Sequence, residues 1–218
     1  MENYLKVIFE ILEHEERANT TAIAGVLGIA PASVTAMLKK LADLNMITYE
    51  PYQGVRLTEV GEKTALEVLR HHRLLELYLA EALDVPWDRV HEEAERLEHA
   101  LSEDLEERIA AALGDPTVDP HGSPIPSRDG TINRRARRRL SMVPAGETVT
   151  VIEVGDRDPD LLRYLGKLEM YPGTEVKVLA IEAFPGPLVL SSKGREFILG
   201  REAAERIQVS AAARFGGE

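Results

Sequence analysis

The chain has 218 residues, enough for two or three small domains, and 44% hydrophobic residues supply a core that must be aliphatic because only 5% are aromatic. Cysteine is absent, which excludes a disulfide scaffold, a thiolate zinc finger, an iron–sulfur cluster and a thiol nucleophile. No apolar run approaches the roughly 18 residues that span a bilayer, and MENYLKVIFE lacks the basic region and cleavage site of a signal peptide, so the sequence reads as cytoplasmic with no membrane partner.

The formal net charge of −11 is unevenly spread. Lys and Arg number 5 against 8 Asp and Glu in residues 1–60, 6 against 14 in 61–113, and 15 against 15 in 114–218. The acid excess therefore sits in a middle segment that would repel itself unless solvated or neutralised by cations, and it leaves room for a local DNA-binding face elsewhere.

Tyr4, Leu5, Ile8, Ile11 and Leu12 recur at helical spacing. Asn19-Thr20-Thr21 has N-cap chemistry and opens a short helix, Ala22 to Leu27, which Gly28 ends. Pro31 suits the first turn of a second helix, Pro31 to Leu44, with Val34, Met37, Leu38 and Leu41 on its inner face. Two short helices joined at a glycine predict a helix-turn-helix, and the β-rich runs 47–49 and 55–58 around Pro51 and Gly54 predict a wing. On the second helix Ser33, Thr35, Ala36, Lys39 and Lys40 alternate with the inner positions and would face the major groove, with Tyr52 and Arg56 of the wing near phosphate. Hydroxyl and small side chains favour water-mediated and shape readout over bidentate arginine–guanine pairs.

Glu59 to Leu83 follows as a long helix with an apolar stripe that needs a partner, Trp87 to Leu101 resumes the pattern, and Ser102 starts a helix that Gly114 closes. A helical block after a DNA-reading module predicts a dimer interface, because palindromic half-sites call for a two-fold protein. Residues 115–146, rich in Pro, Gly, Ser and Arg, read as a linker, with the arginine run at 134–139 solvated or else an arm on phosphate. The runs TVTVIEV, TEVKVLAI, PLVLSS and REFILG, interrupted by a short helix near 160–168, predict a small SH3-like barrel. The expected fold is thus mainly α with a small β part: a winged helix-turn-helix over 1–62, a helical metal-binding and dimerisation domain over 63–114, the linker, and an SH3-like β-barrel over 147–218.

The middle block carries the chemistry. His91, Glu95, Glu98 and His99 lie at i, i+4, i+7 and i+8, within an arc of roughly 100° of a helix, and His72 and Glu76 form a second i, i+4 pair on the preceding helix. If the two helices pack antiparallel, these residues converge on a sulfur-free divalent-metal site; a solvated acidic face is the plainer reading of either helix taken alone. His91-Glu92-Glu93-Ala94-Glu95 lacks the second histidine of a zincin, and no nucleophile elbow or other catalytic centre is present, so the chain is not expected to be an enzyme. His14 and His121 read as surface residues.

Six segments, ENYLKVIFEI, SVTAMLKKLADLNMITYE, LTEVGEK, RHHRLLE, VHEEAERLEHALSEDLEERI and PHGSPIP, together resemble the group of diphtheria toxin repressors, iron-dependent regulators and manganese transport regulators, and the likeness covers almost the whole chain. It implies the same three-domain order. It also implies a regulatory metal site of Glu95, Glu98 and His99 with Asn3, and an ancillary site of His72, Glu76 and His91 completed from the SH3-like domain near Asp158 and Asp160. Glu95 stands where iron-type members have cysteine, as in manganese-type members; Asn3 stands where those types have Met or Asp; and Lys6 replaces a glutamate ligand of the manganese type. The resemblance implies a metal-dependent repressor of metal-homeostasis genes, a homodimer on double-stranded operator DNA.

Carboxylate, amide and imidazole donors favour Mn²⁺ ahead of Fe²⁺, with two sites per subunit possible. Two other readings are a winged-helix regulator gated by a small organic effector, which would bind DNA after chelation as before, and a metal-dependent hydrolase, which would turn over substrate with Mn²⁺.

Overall fold

The computed structural model describes residues 1–13, 15–50, 54–133, 136–184 and 186–210. The contact pattern divides the chain into two compact units, Met1–His72 with Pro126–Ile132, and Arg73–Ile125 with the remainder.

In the first unit α1 (Glu2–Leu12) precedes α2 (Thr20–Leu27) and α3 (Pro31–Asp43). Asn19 caps α2 by accepting a hydrogen bond from the Ala22 amide (2.7 Å), Gly28 ends it at φ +64°, and the chain turns through 111° into α3. A left-handed residue at that point costs an ordinary side chain about 1–2 kcal/mol, which glycine avoids. β1 (Ile47–Glu50) pairs antiparallel with β2 (Gly54–Leu57), Thr48 opposite Arg56. Leu5, Ile8, Ile23, Val34, Leu38 and Leu41 are fully buried in the core beneath, together with Leu66 and Leu69 from the start of α4 (Glu59–Leu83).

α4 continues into the second unit, where Leu74, Leu75 and Leu79 pack with Val90 and Ala94 of α5 (Val90–Leu97) and Ile109 and Ala110 of α6 (Glu103–Ala112). Ser102 caps α6, its hydroxyl accepting from the Leu105 amide. The β part is an antiparallel sheet of β3 (Arg137–Arg139), β4 (Thr148–Val154), β5 (Glu175–Ile181), β6 (Leu188–Ser192), β7 (Arg195–Leu199) and β8 (Ile207–Ser210), in the order β3-β8-β4-β5-β6-β7. Register shifts at Val151/Glu153 and Val178/Ala180 sharpen its twist. α7 (Pro159–Lys167) and the short α8 (Arg201–Glu205) lie beside it, contributing Leu162, Leu165 and Ala204 to its core.

The stretch read as linker is largely structured. Arg137–Arg139 form the edge strand β3 on β8, and Arg137 and Arg138 form ion pairs with Glu153 and Glu147. Residues 134 and 135 of that arginine run lie outside the described residues, as does His14. Among the described residues no single helix is long and apolar enough to cross a membrane.

Candidate metal centre

Glu76 on α4 is fully buried, and its two oxygens face two imidazoles: Oε1 lies 3.0 Å from Nδ1 of His91, and Oε2 lies 3.7 Å from Nδ1 of His121. His91, in the first turn of α5, is also 3.7 Å from Oδ2 of Asp156, in the loop after β4. The donor atoms of Glu76, His91 and Asp156 lie within 4.8 Å of one another, and so do those of Glu76, Asp119 and His121.

The loop after α6 explains how a histidine comes to be buried beside a carboxylate. Val118 bridges Pro124, Oδ1 of Asp119 accepts from the amides of His121 (2.8 Å) and Ser123 (3.0 Å), and the His121 carbonyl accepts from the Val154 amide of β4 (2.9 Å). These bonds fix the loop against the sheet. The His121 ring then stacks on Trp87 at 5.6 Å and donates through Nε2 to the Trp87 carbonyl (2.8 Å). Reading His121 as a surface residue is therefore corrected, since it is fully buried. The sequence reading singles out neither Asp119 nor Asp156 and misplaces His121, and the Asp-Pro-His spacing at 119–121 is the one local signal for Asp119 and His121.

Burial alone would lower the basicity of His121, but the nearby Glu76 carboxylate, backed by Asp119 and Asp156, outweighs it and raises the pKa from 6.5 to about 9. Asp119 is raised from 3.8 to about 7, chiefly by desolvation and then by the charge of Glu76, against the opposing pull of Arg73 and His121. Oδ2 of Asp119 and Nδ1 of His121 are buried without a hydrogen-bond partner among the described residues, as is Oδ1 of Asn3 on α1 of the first unit. Arg73 approaches Asp119 only to 3.7 Å. Buried oxygen and imidazole donors in carboxylate excess, some with nothing to bond, fit a hard or borderline divalent cation.

The expected ligands Glu95, Glu98 and His99 are arranged differently. α5 stops at Leu97, and Glu98–Ala100 form a single 3-10 turn, in which each residue advances about 120° instead of 100°. The expected single face therefore splits. His91 turns toward Glu76, with Glu95 beside it at 3.8 Å and half exposed, whereas buried Glu98 approaches His99 at 3.4 Å. His72, one turn before Glu76 on α4, is buried with Nδ1 3.4 Å from the Lys6 ammonium.

Asp158 and Asp160 stay outside the cluster. Asp158 caps α7, accepting from the amides of Asp160 and Leu161, and pairs with Arg206; Asp160 is exposed and pairs with Arg163. Two residues earlier, Asp156 offers an oxygen to the cluster instead.

On the first unit Ser33, Ala36, Lys39 and Lys40 of α3 are exposed, and Thr35 is half-buried with its hydroxyl donating to the Pro31 carbonyl (3.1 Å). Arg56 is exposed on β2, whereas Tyr52 lies outside the described residues. A groove-sized helix with small, hydroxylated and basic side chains outward, beside a two-stranded ribbon, is a surface that reads double-stranded DNA.

Three family models match: the N-terminal DNA-binding domain of iron-dependent repressors over residues 1–55, their metal-binding and dimerisation domain over 58–127, and the FeoA domain over 138–211. The chain is 31% identical over 197 residues to the iron-dependent repressor IdeR of Mycobacterium tuberculosis, covering 85% of this chain and 84% of that one. It is 36% identical over 109 residues to the HTH-type transcriptional regulator MntR of Oceanobacillus iheyensis, covering 50% and 74%. A solved manganese-dependent transcriptional repressor in complex with manganese superposes with a TM-score of 0.91 at 37% identity, covering 96% of this chain and 99% of that one. The helix-turn-helix with its ribbon, the buried carboxylate–imidazole cluster and these three matches agree, and the chain belongs to the diphtheria toxin repressor, iron-dependent repressor and manganese regulator family of metal-sensing, DNA-binding transcriptional regulators.

Proposed function

We propose that this regulator is a homodimeric cytoplasmic repressor of metal-homeostasis genes that answers to Mn²⁺ ahead of Fe²⁺, and that it has no catalytic activity. The observation that carries the reading is the largely buried cluster in which Glu76 meets His91 and His121 with carboxylates on either side. The chain has no cysteine, so a soft-metal preference has no thiolate to rest on, and oxygen with imidazole suits Mn²⁺ and Fe²⁺. Relatives named for iron and for manganese support the class of effector, and none of those reported above is named for an organic one.

Glu76, His91, Asp156, Asp119 and His121 would hold metal in the second unit, with His72, one turn before Glu76 on α4, as the further ligand that the resemblance implies. The regulatory set that the resemblance implies is Glu95, Glu98 and His99, with Asn3 as the amide donor. A bound dication supplies positive charge that offsets carboxylate repulsion and links ligands from separate parts of the chain. The protein's own contribution is to hold its donors in place, to lose protons from its histidines, and to present α3 and Arg56 to the major groove and phosphate. A metal-dependent bias in the spacing of two recognition helices then selects the operator.

Gel-shift titration of a metal-transporter promoter with Mn²⁺, Fe²⁺, Co²⁺ and Zn²⁺ tests the reading. Glu98→Ala should abolish metal-dependent binding and leave the dimer intact by sedimentation. Tight Mn²⁺-responsive binding by that variant, or wild-type binding that survives chelation, would overturn it.

A further inference from the structure

The Glu76 carboxylate belongs to two donor sets at once. Oε1 is directed at His91, whose partner is Asp156; Oε2 is directed at His121, whose loop carries Asp119. Glu76 is the one residue common to both sets, and the two imidazoles approach opposite oxygens of its side chain.

The second set is built. Nε2 of His121 is committed to the Trp87 carbonyl, the arrangement by which a ligand histidine is held in place so that its other nitrogen faces an ion. That other nitrogen, Nδ1, is buried without a hydrogen bond, and its 3.7 Å separation from Glu76 Oε2 is too long for one. Asp119 divides its oxygens in the same way. Oδ1 is occupied by two backbone amides, while Oδ2 is buried without a hydrogen bond, in a residue only 3% exposed. In each case one donor atom fixes the loop and the other is left over, on the side toward Glu76.

We propose that Glu76 is a bridging carboxylate, so that the cluster takes two divalent cations, one at Glu76, His91 and Asp156 and one at Glu76, Asp119 and His121. Carboxylates shared in this way support ion pairs about 3.5–4 Å apart in general. Charge sets the order of filling. With every ligand deprotonated, Glu76, Asp119 and Asp156 against Arg73 leave a deficit that the first dication cancels, so the second enters a neutral pocket and binds more weakly. Loading is therefore stepwise. This inference rests on the metal-sensing function proposed above, but it concerns how many ions the cluster holds and which oxygen of Glu76 holds each.

The test uses the full-length protein in a Glu98→Ala background, which removes the regulatory set. Mn²⁺ is counted by equilibrium dialysis, and low-temperature electron paramagnetic resonance reports whether neighbouring ions are exchange-coupled. Two ions per chain, bound in two steps with a coupled-pair signal at saturation, are expected. His121→Asn and Asp119→Asn should each remove one ion and the coupling while sparing the other; His91→Asn should do the same from the other side, and Glu76→Gln should abolish coupling. Fluorescence of the single Trp87, next to His121, checks that each variant folds.

One ion per chain with only an uncoupled signal, or a coupled pair that persists in both loop variants, would overturn the bridge. Mn²⁺-dependent operator binding by wild type with a single ion in the cluster would leave the proposed function standing without it. A coupled pair in a protein indifferent to metal on DNA would do the reverse.

Discussion

Gly122 is where the loop carrying His121 meets the sheet, and it admits no side chain. Its φ is +89°, and a Cβ built there would lie 1.9 Å from the Ile152 carbonyl oxygen and 3.1 Å from the Glu153 Cα. Ordinary contact begins near 3.4 Å, so in Gly122→Ala the loop and β4 must separate by about 1.5 Å, because neither neighbour is a flexible side-chain end. The left-handed backbone costs about 1–2 kcal/mol for alanine, and forcing a methyl into a packed contact adds about 1–3 kcal/mol. A total of about 2–5 kcal/mol is expected. The same movement would stretch the bond from the Val154 amide to the His121 carbonyl and draw His121 off Glu76. The variant should therefore lose urea stability, followed through Trp87, and also bind Mn²⁺ at the loop about 10–100-fold more weakly, the scale on which misplaced metal-site support acts. An unfolding free energy within about 0.5 kcal/mol of wild type, as for a substitution at an indifferent surface site, together with unchanged Mn²⁺ affinity, would refute this account of the loop.

Three further outcomes are expected. Gly61→Ala in α4 should destabilise the first unit despite alanine's advantage of about 1 kcal/mol in helices, because its Cβ would lie 1.9 Å from the Met46 carbonyl; equal or higher stability in urea would contradict that geometry. In metal-free protein, His121 with its pKa raised to about 9 contributes stability that is complete below pH 6.5 and is lost as the pH climbs through 9. Asp119, raised to about 7, makes folding less favourable as pH rises from about 4 to 7. Chelator-treated protein should thus lose stability from pH 5 to 9 while Mn²⁺ affinity rises over the same range, because the ligands must shed protons; denaturation midpoints that climb with pH would count against both assignments. Finally, Mn²⁺ at a hundred times its dissociation constant should add about 2.7 kcal/mol per site bound only in the folded state, and calorimetry showing no rise in Tm would deny metal a place in the fold.

What the sequence made legible follows from how local each signal is. Asn19, Gly28, Pro31 and Ser102 bound their helices through groups a few residues away, so the helix-turn-helix and the start of α6 can be read without knowing anything distant. The long stripe from Glu59 to Leu83 is likewise a single helix. Arg137–Arg139 could not be read as a strand, because what makes them one is pairing with β8 some seventy positions on, with Glu147 and Glu153 supplying the opposite charge. His121 fails for a related reason. A loop has no periodicity from which burial can be inferred, and its partners Glu76, Trp87 and Asp156 come from three other places in the chain. The break at Glu98 is subtler, since a shift from α to 3-10 winding over one turn re-aims side chains without altering the residue pattern.

The acid excess of residues 61–113 also acquires a physical meaning from where the structure puts it. Some of it is local and solvated: Glu92 and Glu93 pair with Arg96, and Asp104 with Arg108, at surface positions where such pairs contribute little. Glu76 and Glu98 are different, each almost without exposure, and the loop adds Asp119 to Glu76. Burying a carboxylate costs several kcal/mol unless an opposite charge compensates it, and a proton on His121, whose pKa the Glu76 carboxylate raises to about 9, contributes to that compensation at Glu76. That proton and a dication compete for the same site. A cluster that folds around a proton and gives it up to a metal can remain assembled in both states, and occupancy then changes its charge and rigidity while leaving the fold intact.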